Sequence, residues 1–129
     1  MLVYENAPDV KKLLADIVKK LNLSHIDINR IFCVRSYRSK SRSVARIYGF
    51  PRIWQFALNM KPFYILEVNS EKYDKLSEED KIKVLIHELL HIPRNFSGGL
   101  RDHGKLVNSR IVNRLYKKYI KAGFSKRRR

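Results

Sequence analysis

Between Ser77 and Pro93 the chain is allowed little except a helix, and that restriction organises the rest of the reading. Ser77-Glu78-Glu79-Asp80 reads as an N-terminal capping box, with Ser77 as N-cap and acidic side chains in the first turn at the positive end of the helix dipole. Ile82, Leu85, Ile86, Leu89 and Leu90 then recur at helical spacing, and Pro93 disfavours continuation past Ile92. The last turn of this helix contains His87-Glu88-Leu89-Leu90-His91. Residues four apart share a helix face, so the imidazoles of His87 and His91 can close on one metal ion. Glu88 falls where a carboxylate can reach a metal-activated water without being a ligand, which suits a general base for hydrolysis.

A catalytic zinc takes three protein ligands and keeps a fourth position for water, so a third ligand is expected beyond the helix. His103 is the leading candidate, because the stretch from Pro93 to Gly104 is rich in glycine and small polar residues and can turn back beneath the helix end. Glu67, on a preceding strand-like run, is a weaker ligand candidate. Asp102 is a candidate acceptor for an imidazole N–H. For an oxyanion partner the sequence leaves Tyr64, Arg94, Arg101 or none of them as open alternatives.

The helix motif, the glycine-containing loop and Asp102-His103-Gly104 together resemble the signature of SprT-like metallopeptidases. The wording His-Glu-Leu-Leu-His-Ile-Pro is similar to the small family of phage metallopeptidases found in archaeal and viral genomes. The resemblance covers roughly residues 64–107 and implies a zinc peptidase, with zinc on His87, His91 and His103 and Glu88 activating water. The chain departs from many SprT relatives in having one cysteine, which rules out their separate cysteine-rich zinc element. The metzincin spacing is also absent. Two other classes are weighed beside the peptidase: a metal-dependent ribonuclease, since YbeY-like enzymes use three histidines in a related layout, and a non-catalytic nucleic-acid-binding protein with structural zinc. The first has glycine where Glu88 stands, and the second needs a fourth ligand.

A formal charge of +16 over 129 residues implies attraction to polyanions. Arg35, Arg38, Lys40, Arg42 and Arg46 cluster among serines, and Lys126, Arg127, Arg128 and Arg129 end the sequence, so these nine are the candidate DNA or RNA contacts. Tyr37 and Tyr48 could stack on unpaired bases. No apolar run is long enough to span a bilayer and residues 1–10 lack a signal-peptide pattern, so a cytoplasmic protein with no membrane partner is expected. Cys33, alone in an apolar stretch, reads as a core residue. Oligomeric state is left open by the sequence.

Residues 8–22 carry apolar positions at helical spacing, while 26–34, 46–50, 53–58 and 63–68 read as strands, with a hairpin following the first of these. A closing helix is expected over 105–121, with Gly123 as its C-cap. The expected fold is α+β: one small zincin-like domain over residues 1–124, with a twisted, mostly antiparallel sheet packed on helices including the active-site helix. Residues 125–129 are expected to form a disordered basic tail.

Overall fold

The computed structural model describes residues 1–127, with side chains through Gly123. The chain runs β1 (Val3–Asn6), α1 (Pro8–Lys20), a 3-10 turn (Ile28–Arg30), β2 (Ile31–Tyr37), β3 (Ala45–Tyr48), α2 (Arg52–Leu58), β4 (Tyr64–Asn69), α3 (Ser70–Tyr73), α4 (Glu78–Leu90) and α5 (Ser109–Arg127). This is an α+β domain built on an open four-stranded sheet of order β1-β2-β4-β3. Two of its three pairings are antiparallel; β2 and β4 run parallel, with Ile31 opposite Tyr64 and Cys33 opposite Leu66.

The strand order follows from where apolar side chains can be buried. β2 and β4 each bury Ile31, Cys33, Tyr64, Leu66 and Val68 on the helix side, so they take the centre. The shorter β3, with exposed Arg46 and Tyr48, occupies an edge. The hairpin expected after Val34 is therefore not formed, because β3 reaches past β2 to pair with β4.

Pro8 begins α1, Asp9 sits in its first turn, and Val10, Leu14 and Ile17 are buried with the strands and with Ile82, Leu85, Ile86 and Leu89 of α4. The other sheet face leaves Phe32, Ile65 and Tyr48 exposed side by side across three strands.

Three further expectations are corrected. Residues 53–58 form helix α2 rather than a strand: both edges of β4 are already taken by β2 and β3, and Pro51 and a left-handed Asn59 (φ 51°) bracket a single short helix. The closing helix starts at Ser109, not Lys105, because the Asn108 side chain accepts the Ile111 N–H at 3.0 Å and caps it there. It also continues past Gly123 to Arg127, so Gly123 is not its C-cap. The Lys126–Arg129 side chains lie outside the described residues, and with them the expectation of a disordered tail contacting nucleic acid.

Candidate metal centre

The start of α4 is held as its sequence requires, with the Ser77 hydroxyl accepting the Asp80 N–H at 3.2 Å. Its apolar stripe packs toward α1, β3 and α5. His91 is the C-cap, and the buried Ile92 precedes Pro93. The helix face carrying His87 and His91 points into a cleft rather than into the core, and the two Nε2 atoms stand 3.3 Å apart.

His103 is carried to the same point by a loop fixed at several places. The hydroxyl of the buried Tyr64 donates to the Gly99 carbonyl and accepts from the Gly98 N–H, each at 2.8 Å. The Phe50 N–H donates to the Gly98 carbonyl at 2.7 Å. Gly98 has φ +93°, and a Cβ there would lie 2.3 Å from the Phe50 carbonyl oxygen, so glycine is required on both counts. Beyond it, His103 Nε2 comes to 3.0 Å from His87 Nε2.

Arg101 joins this loop to the end of α4. Its N–H donates to the His91 carbonyl at 2.6 Å, and its own carbonyl lies 2.5 Å from His91 Nδ1. Its guanidinium donates to the Leu90 carbonyl at 3.2 Å and the Ile92 carbonyl at 3.0 Å, satisfying acceptors that a helix end leaves open. A carbonyl against Nδ1 requires the proton there, which leaves Nε2 with a free lone pair aimed at the other histidines.

Ligand nitrogens of His87, His91 and His103 all lie within 4.8 Å of one another. Nitrogens about 2.0–2.1 Å from a tetrahedral zinc sit about 3.4 Å from each other, close to the Nε2 separations of 3.0 and 3.3 Å seen here. The donor set therefore fits such an ion. Burial, then the charges of His91 and His103, lowers the His87 pKa, which favours the neutral form that a ligand needs.

Glu88 lies beside His87 on the side toward β3 and is 9% exposed. Its Oε2 is 4.0 Å from His87 Nε2, and its carboxylate accepts the backbone N–H of Ile47. Burial pushes this carboxyl up to about 7, against the opposing effects of the Ile47 N–H and the Arg46 charge. Glu88 and all three histidines line one cleft of about 370 Å³ whose opposite wall is Ser43 to Ile47. A second groove of about 700 Å³, walled by Val44, Leu76, Val84, Val107 and Val112, opens beside His87, Glu88 and His103.

The remaining sequence candidates separate clearly. Glu67 stays outside the histidine cluster and accepts the Tyr48 hydroxyl at 2.6 Å. The imidazole N–H expected to meet Asp102 meets the carbonyl of the preceding residue, Arg101. Tyr64 and Arg101, weighed as oxyanion partners, hold the loop and the helix end. Arg35 donates to Asp9 at 2.6 Å and Asp74 at 2.7 Å with its side chain only 11% exposed, so its guanidinium is engaged internally. Arg38, Lys40 and Arg42 are exposed on the connection into β3, and Arg46 is exposed within β3 itself. Cys33 is buried, and burial pushes its thiol up to about 11, away from nucleophilic use. Sequence reasoning missed the Arg101 clamp and the Ile47 N–H, since backbone groups carry no residue signature.

An α+β domain with three converging imidazoles and a buried carboxylate in one cleft has the build of a metal-dependent hydrolase. The model of the family described as "Putative phage metallopeptidase" matches residues 2–123, nearly the whole chain, and the protein belongs to that family of metal-dependent peptidases. No curated protein and no solved structure matches. No helix among the described residues is long and apolar enough to cross a membrane.

Proposed function

We propose that the protein is a zinc-dependent endopeptidase of the H-E-x-x-H type, with His87, His91 and His103 as ligands and Glu88 as general base. The convergence of three imidazoles beside a buried carboxylate, in a cleft walled by an edge strand, is the observation that carries this reading. A zinc ion there would supply Lewis acidity, polarising a peptide carbonyl and bringing the pKa of an attacking water toward neutrality. Glu88 takes the proton from that water and later delivers it to the leaving amine. Its contact with the Ile47 N–H fixes the carboxylate while its buried setting keeps it protonatable near neutral pH.

The edge strand supports a polypeptide substrate. β3 is an edge strand and Ser43, Ala45, Arg46 and Ile47 line the cleft with the histidines, so an extended chain can lie along it and present a carbonyl there. The adjoining apolar groove is placed to take a neighbouring apolar side chain. The exposed Arg38, Lys40, Arg42 and Arg46 on the segment bordering this cleft favour polypeptides associated with DNA or RNA.

Cleavage of an unfolded protein by zinc-loaded enzyme is the test. Glu88→Gln should retain zinc and lose about 10²- to 10⁴-fold in rate. Unchanged proteolysis would remove Glu88 from the chemistry, and RNA hydrolysis without proteolysis would favour the ribonuclease reading. A rate on DNA-bound or RNA-bound protein no greater than on free protein would remove the nucleic-acid part alone.

A further inference from the structure

Helix α2 reverses the expected relation between apolarity and burial along its whole length. Ile53 is 69% exposed, Trp54 57%, Phe56 85% and Leu58 55%, and Met60 follows them on the surface. Apolar residues gathered in this way mark an interaction surface. The segment is held firmly beneath: the Gln55 amide donates to the Phe50 and Ser97 carbonyls, each at 2.8 Å, and Arg30 donates to the Lys61 and Pro62 carbonyls at 2.6 Å. It is therefore a fixed apolar projection.

Charge indicates the partner. From Ile28 to Leu66 the sequence has Arg30, Arg35, Arg38, Lys40, Arg42, Arg46, Arg52 and Lys61 and no aspartate or glutamate. Exposed Arg52 and Lys61 flank the apolar residues directly. A second copy carrying the same +16 charge would be repelled. Nucleic-acid bases gain little from Ile53, Leu58 and Met60, which offer no stacking surface.

Geometry separates the two remaining anionic partners, an acidic protein groove and an anionic lipid surface. At about 100° per residue, Phe56, Ile53, Ala57, Trp54 and Leu58 cover an arc of about 200°, with Gln55 on the side facing the body. A helix seated in a protein groove uses a stripe nearer about 100°. An apolar surface this wide suits a fluid medium that closes around it.

We propose that α2 docks the protein on an anionic lipid surface, Ile53, Trp54, Phe56 and Leu58 entering the boundary between headgroups and acyl chains while Arg52 and Lys61 meet headgroup phosphates. The absence of a long apolar run, from which no membrane partner was expected, bears on spanning and leaves attachment to one face open. The inference is independent of the peptidase reading, since binding needs neither metal nor turnover. Through Gln55 the docked helix would share the 97–98 loop that leads to His103.

Trp54 is the only tryptophan, so its fluorescence reports the contact without labelling. Vesicles of mixed phosphatidylglycerol and phosphatidylcholine should shift its emission to the blue and shield it from acrylamide, while phosphatidylcholine alone should do so far less. Ile53→Ser with Phe56→Ser should weaken vesicle partition at least about tenfold while leaving the thermal melt unchanged. Co-sedimentation with an unshifted Trp54 signal would mean adsorption through charge only and would overturn the proposal. Failure to bind anionic vesicles would also overturn it, as would a solution dimer that buries Trp54.

Discussion

Helices α4 and α2 both carry a run of apolar residues and put them to opposite uses. In α4, Leu85, Ile86 and Leu89 are at most 3% exposed and fix the rotation and depth of the helix, which is why His87 and His91 emerge together at one cleft. In α2 the apolar side chains reach solvent, and the helix is held by the polar Gln55 instead. The contrast teaches that an apolar run does not by itself state its purpose: burial in α4 supports the site, whereas exposure in α2 leaves the same chemistry available to a partner.

Substitutions can break this comparison, and the largest difference should appear at the core. Ile86→Ala should cost about 2–5 kcal/mol of stability, measured by denaturant unfolding of the metal-free protein. A cost under about 1 kcal/mol would mean that α4 is not held by its apolar stripe. Next, Arg101→Ala removes the two guanidinium bonds to the end of α4 and loosens the carbonyl that orients His91, so zinc affinity should fall about 10- to 100-fold in a competition titration. Unchanged affinity would show that the histidines are positioned by α4 alone. The smallest effect belongs to α2, where Phe56→Ser should alter folding stability by less than about 0.5 kcal/mol. A larger loss in the same unfolding assay would make α2 part of the core and erase the contrast.

The parts of the molecule legible in sequence are those governed by local rules. Ser77, the apolar spacing of α4 and Pro93 act within a few residues of one another, and the structure has the helix they define. The same is true of α1 and β4. Strand pairing is not local: nothing near Val34 shows that β2 will lie parallel to β4, or that both edges of β4 will be occupied before residues 53–58 are reached. β1 escaped notice because all four of its residues are exposed and show no alternation. Arg35 looked available because Asp9 and Asp74, far away in the chain, face it only after folding. In the site, the histidines and Glu88 are visible as residue types, whereas the groups that orient them, the Arg101 carbonyl and the Ile47 N–H, belong to the backbone.

The central claim is that the three imidazoles act together on one ion, and metal content tests it most directly. After zinc loading and exhaustive dialysis, elemental analysis should find about one zinc per wild-type chain and far less in a folded His103→Ala variant. No retained zinc in the folded wild type, or equal retention in the variant, would contradict the account.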